Sequence, residues 1–334
     1  VQEQVKSKVP YSAVVVGLGY IGMGYDIKLP KDDYVLSHVR ALSIHKDFNL
    51  VSAVDPDFQK RQYFTAHSGL PAFAQIEDLL SEQRPDLVVV ANPTSYHSSV
   101  LKSILDCYSP NAILCEKPLA VTKEEAQDMV AACKAAGVPL FVNFIRRAEP
   151  GVKEVQKRIV TGRITAPLKA VVWYSKGMFH NGSHFLDLMS YWMGPIRKIR
   201  LITIGRKVGE NDIDADLYVE FELGSAVFCS AREEDYSHYT VEIVAGNGRL
   251  RYERGGKILW QCVEYDNNMS GYRRLSDTAE IIENDMNRYQ YHVLEELSKA
   301  LSGKKHTLSE GAEAVRNMAW LADLIQNPIS DIIK

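Results

Sequence analysis

The residues Gly17-Leu18-Gly19-Tyr20-Ile21-Gly22 follow directly on the apolar run YSAVVV at 11–16. A G-x-G-x-x-G in that place handles phosphate without any side chain. Gly17 permits a tight turn, Gly19 lets the backbone approach a pyrophosphate, and Gly22 lets the following helix pack closely. The N-terminus of that helix adds free N–H groups and the positive end of its dipole. The six residues alone also fit a plain glycine-rich turn; the strand–turn–helix context selects cofactor binding. Asp55 closes the second apolar run, LVSAV at 50–54. A carboxylate there hydrogen-bonds a ribose 2′-hydroxyl and repels a 2′-phosphate, so NAD is expected over NADP. Asp55 stands well beyond the usual ~20-residue spacing from the glycines. The polar, proline-containing stretch GYDIKLPKDDYVLSH at 24–38 accounts for the excess as an insertion. Its Tyr25, Asp26 and Lys28 lie close enough to the glycine turn to reach a cofactor. Lys60 and Arg61 are near enough to soften the NAD preference, and the competing role for Asp55 is to start a turn with Pro56.

Such groups need a parallel sheet to hold them. Short valine-rich runs at 11–16, 50–54, 86–90, 112–115 and 138–142 suit strands buried on both faces. Helical segments, including 95–106 and 122–137, separate them. Thr122 with Glu125 forms a capping box and Gly137 a helix stop. This alternation predicts right-handed crossovers and a doubly wound sheet. After NFIRRAEPG at 143–151 the pattern changes. In ADLYVEFEL (215–223), Ala215, Leu217, Val219, Phe221 and Leu223 share one face, opposite Asp216, Glu220 and Glu222. SAVFCSA (225–231) follows as the second arm of a hairpin, and Asn247-Gly248 signals another. Helical spacing joins Ile282, Met286, Tyr289, Val293, Leu297 and Ala300, then Ala312, Val315, Ala319 and Ala322. The expected fold class is α/β: an N-terminal doubly wound domain over 1–143, then a C-terminal α+β domain over 144–334 with a mostly antiparallel sheet.

A length of 334 residues accommodates two domains, each with its own core. A net charge of −3 excludes a generally basic nucleic-acid binder, and 46% hydrophobic residues argue against extended disorder. No apolar run approaches the ~18 residues of a spanning helix, and VQEQVKSKVPYS lacks the apolar core of a secretory signal. The five cysteines include no C-x-x-C pair, which suits reduced thiols and a cytoplasmic setting.

Further motifs resemble the Gfo/Idh/MocA oxidoreductases, the family of glucose–fructose oxidoreductase and inositol dehydrogenase. They are VDPD (54–57), ANPTSYH (91–97), CEKPLA (115–120) and NGSHFLDLMSYWMG (181–194). The resemblance implies an N-terminal Rossmann domain over 1–143 and an open sheet in the C-terminal domain, with NAD(P)-dependent redox chemistry on sugars, cyclitols or their derivatives. It also implies a homodimer or homotetramer built through the exposed C-terminal sheet. Oxidising a secondary alcohol requires a group that grips the hydroxyl and handles its proton, which an ammonium at Lys117 does. The competing role for Lys117 is an ion pair with Glu116, itself expected beside the cofactor. Pro118 invites a cis bond after Lys117. His184, in a helix beginning near Ser183, matches the family's base or proton relay, with Asp187 as its buried orienter. Tyr20 and Ile21 are expected to pack on the cofactor, and Asn92 and Pro93 to shape the turn around its ribose. His97 falls equally to nicotinamide contact or to helix-start packing. His38 reads as structural, and Trp173, Tyr174 and Tyr191 as core rather than a sugar-stacking platform.

One position departs from the family. Many members carry Asp four residues before the helix histidine, where this chain has His180. His180 therefore relays a proton, or reads a different, anionic substrate together with Lys176 and Arg146 or Arg147, or records a drift in substrate shape. His180, His184 and Asp187 would share one helix face as metal ligands only if the helix ran on through Asn181 and Gly182, and these two residues argue for a break. No metal is expected. The expected function is a hydride transfer between nicotinamide and a ring hydroxyl or ketone of a sugar, nucleotide-activated or amino sugars included. The alternatives are a glycosidase or lyase that recycles its NAD, and a non-catalytic NAD-binding regulator.

Overall fold

The computed structural model describes residues 9–209, 212–253, 256–326 and 332–333. The chain divides into two compact units, 1–145 with 287–313 and 146–286 with 314–334. The first crossing thus falls two residues past the expected 143/144 boundary, and a late segment returns to the first unit.

In the first unit, strands β1 (Tyr11–Val16), β2 (Phe48–Val54), β3 (Ala72–Phe73), β4 (Leu87–Val90), β5 (Ala112–Cys115) and β6 (Leu140–Val142) pair in the order 3-2-1-4-5-6, all parallel. Every residue of β4 and β5 is buried, as a sheet covered on both faces requires. The strand order reverses between β1 and β4, and ligands of such sheets bind beside that reversal, at the strand carboxyl ends. The short β3 carries no sequence run of its own; it pairs with β2 through Ala72 and Phe73. Ser309–Glu310 adds antiparallel to β6 and covers that edge. Helix α1 (Lys123–Ala135) begins with Thr122 Oγ1 accepting the Glu125 N–H at 3.1 Å. The Glu125 carboxylate returns to the Val121 N–H at 3.2 Å, one residue before the place a reciprocal box would use.

The second unit is built on a large, mostly antiparallel sheet. Its central strand, Leu168–Tyr174, runs parallel to Gly224–Ser230 and antiparallel to Thr240–Ala245. Leu217, Val219 and Phe221 of Asp216–Phe221 point into the core, as their alternation requires. The following turn, Glu222-Leu223, closes the expected hairpin. The next hairpin turns at Gly246-Asn247, with Gly248 already paired to Ala245. Asn247 sits off the expected centre because its amide is engaged elsewhere, accepting from Thr165 N and Oγ1 and donating to Arg163 O. The core closes on Phe185, Trp192 and Tyr252, which are fully buried.

The expected helix over 282–300 is shorter. Ile282 belongs to a strand, Glu280–Ile282, that pairs with Lys257–Tyr265. Met286 lies in a 3-10 turn, and helix starts only at Tyr289. The Asp285 N–H is taken by the Glu149 carboxylate at 2.7 Å, so no helical ladder passes through it. The helix Tyr289–Leu301 packs in the first unit, where the Tyr289 hydroxyl donates to Leu36 O.

Candidate functional site

At the carboxyl ends of β1, β2 and β4 the first unit encloses a cavity of about 660 Å³, within the range of small-molecule and cofactor sites. Gly17, Gly19, Tyr20, Ile21, Asp55, Asn92 and Pro93 all line it. Gly17 takes φ +104° and passes so near the backbone of Ala91 and Asn92 that a Cβ would lie 2.5 Å from Asn92 N. A Cβ on Gly22 would lie 1.9 Å from Gly17 O, the close packing that its place in the motif demands. Around Gly19 a Cβ would meet nothing within 4 Å. That open approach to bare backbone fits a diphosphate. The Asn92 side-chain Oδ1 is buried without a protein partner among the described residues, an acceptor for a bound group. The cavity therefore fits a dinucleotide.

Asp55 is buried at the end of β2. One carboxylate oxygen accepts the Leu18 N–H at 2.7 Å, and the other accepts the Asp57 N–H at 2.9 Å. It starts the Pro56 turn and also ties the glycine loop to the second strand, while still lining the cavity. Lys60 Nζ stands 3.6 Å from it; Arg61 is turned to the carbonyls of Asp55 and Pro56.

Two residues expected at the cofactor, His97 and Glu116, are buried. His97 is absent from the cavity wall. Its Nδ1 lies 3.0 Å from Leu119 O and its Nε2 2.9 Å from Asn92 O, so it staples the turn after β4 to the turn after β5. Glu116 is buried under the same edge, where Oε1 meets His38 Nε2 at 2.7 Å and Asn143 Nδ2 at 2.6 Å. Gln290 completes the cluster, 3.3 Å from Asn143 and 3.4 Å from His38. Burial raises the Glu116 carboxyl, but the hydrogen bond and charge of His38, with help from Asn143 and Lys117, hold it below its ordinary value. Lys117 follows, half-buried, joined to Pro118 by the expected cis bond. His38, read from sequence as structural, is buried and paired with Glu116.

In the second unit, Lys176, His180 and His184 share one short segment. Lys176 takes φ +69°, rare for a side chain with a Cβ, and its Nζ lies 3.2 Å from Glu233. A π-helical turn, Met178–Gly182, leads directly into the helix Ser183–Met193. Asn181 and Gly182 therefore do not break the helical path. The Asn181 and Gly182 N–H groups donate to Gly177 O, and the Asn181 side chain donates to Ser175 O. His180 is exposed and His184 half-buried. Asp187, three residues on from His184, is fully buried and accepts Arg147 Nε at 2.7 Å, a buried ion pair. Arg146, expected at the substrate, is buried, its guanidinium 4.5 Å from the centre of the Phe185 ring. Of the aromatic residues, Tyr174 is core, while Trp173 is 40% exposed on the outer face of the sheet.

Asp212 escaped the sequence reading. Its carboxylate accepts the Phe179 N–H at 2.9 Å and the His180 N–H at 2.8 Å, fixing the turn from a different strand. Burial pushes its carboxyl up, against the pull of those amides. Nothing in the spacing of Asp212 links it to the 180s. The cavity's far wall, Gln75, Ile76 and Ser103, was likewise hidden, because β3 before it is too short to recognise.

Comparison with known proteins follows from this geometry. Residues 11–144 match the Gfo/Idh/MocA oxidoreductase family, NAD-binding Rossmann fold. The match covers β1 to β6 and stops short of the second unit, so it speaks for the first domain, whose matching family is an NAD-binding one. Inositol 2-dehydrogenase of Rubrobacter xylanophilus is 29% identical over 171 residues, 51% of this chain and 47% of its own length. D-apiose dehydrogenase of Paraburkholderia graminis is 27% identical over 198 residues, 52% of each chain. The chain spans about half the length of the curated relatives it matches. Over the whole fold, the WlbA dehydrogenase of Bordetella pertussis, solved with NADH and UDP-GlcNAcA, superposes with a TM-score of 0.71. It is 18% identical, over 96% of both chains, so the likeness shows a shared fold. Among the described residues no helix is long and apolar enough to cross a membrane, and no group of three or more His, Cys, Asp or Glu side chains is placed to hold a metal ion.

Proposed function

We propose that this protein is an NAD-dependent oxidoreductase acting on a ring hydroxyl, or the corresponding ketone, of a sugar or sugar derivative. The observation that carries the reading is that Gly17, Gly19, Asp55 and Asn92 line one cavity, with Lys117 just past the next strand end of the same sheet edge. Nicotinamide, when bound, supplies the hydride acceptor or donor. Lys117 holds the reacting oxygen through its ammonium and exchanges the proton that the alcohol loses. His184 serves as the second acid–base group, carried by the helix that also bears Asp187 of the Arg147–Asp187 pair. His180 and Lys176 present donors to an anionic or nucleotide-activated substrate, a class that the ligand of the WlbA structure exemplifies. Asp55 favours NAD by repelling a 2′-phosphate. Val171, Trp173 and Val244, exposed on one face of the large sheet, support association with a second copy. The five free cysteines suit a reducing cytoplasm.

The test is NADH formation, followed at ~340 nm as a property of the reduced nicotinamide. NAD and NADP are each supplied with free sugars, cyclitols, sugar acids and nucleotide sugars. Turnover with one group, lost in Lys117→Ala, is the expected result. Tight NAD binding with no turnover from any group would sink the dehydrogenase reading and favour a recycled cofactor or a regulator.

A further inference from the structure

Tyr20 and Tyr25 stand at the rim of the dinucleotide cavity, and both line it. Their ring centroids are 5.6 Å apart with planes tilted by 32°, so they form one aromatic pair. Yet Tyr20 is 75% exposed and Tyr25 53% exposed. Two adjacent aromatic side chains left in water at a cavity mouth forgo a large burial that a bound group would restore.

The pair is held in place rather than trailing from a loose loop. The Tyr25 N–H donates to Tyr20 O at 2.8 Å, and the Met23 and Gly24 N–H groups donate to Gly19 O. Gly24 leaves room for the Tyr20 ring, since a Cβ there would lie 3.2 Å from Tyr20 Cδ1. Next to Tyr25, Asp26 is buried and acts as a hub. Its carboxylate accepts the N–H groups of Leu36 and Ser37 at 2.7 and 2.9 Å and the Ser37 hydroxyl at 2.6 Å. Arg40 adds bonds to the carbonyls of Asp26, Leu29 and Tyr34. The 24–38 insertion is thereby pinned at both ends and in its middle. What it holds out beside the open approach at Gly19 is an aromatic ring.

We propose that Tyr20 and Tyr25 form a preset aromatic cover over the diphosphate side of a bound dinucleotide, which slows its release. The proposal rests on the cofactor reading above. The cover excludes water from the phosphates where the Gly19 backbone meets them, and the pinned loop holds the rings ready, so binding need not order them. It acts through ring area, so a phenylalanine keeps the effect.

NADH fluorescence gives the test, by titration for affinity and by stopped-flow displacement for the dissociation rate. Wild type, Tyr25→Ala, Tyr25→Phe and Tyr20→Ala are compared, with circular dichroism confirming the fold of each. Tyr25→Ala is expected to raise the NADH dissociation rate about five- to tenfold, in the range of one lost aromatic contact. Tyr20→Ala should do likewise, and Tyr25→Phe should stay within about twofold of wild type. Unchanged release in Tyr25→Ala, with wild type binding NADH, would overturn the cover and leave the cofactor reading standing. Release from Tyr25→Phe as fast as from Tyr25→Ala would overturn it too, because the hydroxyl and not the ring would then be responsible. A wild-type protein that binds no NADH would remove both readings together.

Discussion

Around Gly19 a side chain would meet open space, whereas the turn that bears His180 is closed in, two of its amides taken by the Asp212 carboxylate. The first unit prepares its ligand surface by omission. Glycines let backbone segments touch, and the ligand meets bare N–H groups. The second unit prepares its surface by support. A π-helical turn and a left-handed Lys176 are held by the side chains of Ser175, Asn181, Asp212 and Glu233. Tolerance to substitution should therefore differ: in the glycine loop the added atom does the damage, and in the turn the missing partner does.

The largest effect is expected inside the glycine loop, and it separates two residues of one motif. Gly22→Ala drives a Cβ to 1.9 Å from Gly17 O, a backbone atom that cannot rotate away. That overpacking should cost about 3 kcal/mol or more of stability, read by denaturant unfolding. Gly19→Ala meets no protein atom, so the unfolding midpoint should stay put while NAD affinity falls at least about tenfold. Equal loss of stability in both variants would break the distinction between packing glycine and cradle glycine.

The second unit gives the next largest effect. Asp212→Ala strands the N–H groups of Phe179, His180 and Ile213 and should destabilise by roughly 2–3 kcal/mol. Asp212→Asn removes a charge that burial disfavours but keeps only one of the two acceptor oxygens, its NH2 facing an N–H, so it should recover part of the loss. Because burial raises the Asp212 carboxyl in the fold, its ionisation weakens the folded state as pH rises from below the ordinary carboxyl value through the raised one. The asparagine variant should lack that component of the stability–pH curve. Identical curves for wild type and Asp212→Asn would refute the assignment.

What could be read in advance follows the same division. The glycines, the capping residue Thr122 and the alternation of Leu217, Val219 and Phe221 act locally, within a few residues of the structure they determine. Their spacing suffices to place β1, α1 and the inward face of Asp216–Phe221. Asp212, Asn143 and Gln290 act across the chain: Asp212 caps a turn formed by residues 178–182, and Gln290 returns from the late segment to Asn143 and His38. No periodicity reports such partners. His97 and Arg146 show a related limit of spacing: a polar residue near a site looks alike in sequence whether it faces a ligand or packs on carbonyls and rings, as these two do. Met286 carries helical spacing but lies outside the helix, because its neighbour Asp285 is claimed by Glu149.

Glu116 tests how far the first unit also depends on side-chain support. Its carboxyl is held below its ordinary value, so its contribution is full above about 4.5 and disappears as pH falls through the lower folded value. Glu116→Gln, losing the charge in the His38 hydrogen bond, should cost roughly 1–2 kcal/mol at neutral pH and flatten the acid side of the stability curve. An unaltered acid limb would show that the His38–Glu116–Asn143 cluster is held by packing rather than by charge.

The smallest expected effect lies where the two construction principles meet. Asp55 contributes an acceptor to the Leu18 N–H, which belongs to the backbone cradle, and a negative charge to the cavity, with Lys60 Nζ 3.6 Å away. Asp55→Asn removes the charge and one of the two acceptor oxygens. With the remaining oxygen on the Leu18 N–H the loop keeps its geometry and the Asp57 N–H loses its partner, at about 1 kcal/mol of stability, while Lys60 loses the carboxylate it faces and becomes available to a 2′-phosphate. The ratio of NADP to NAD affinity should rise about tenfold, equivalent to ~1.4 kcal/mol. Adding Lys60→Ala should cancel most of the gain, because neither the repelling nor the attracting charge would remain. If Asp55→Asn instead weakened both cofactors equally, the carboxylate would be acting only as a tether for the glycine loop, and the choice of cofactor would have to come from the wall formed by Gln75, Ile76 and Glu77.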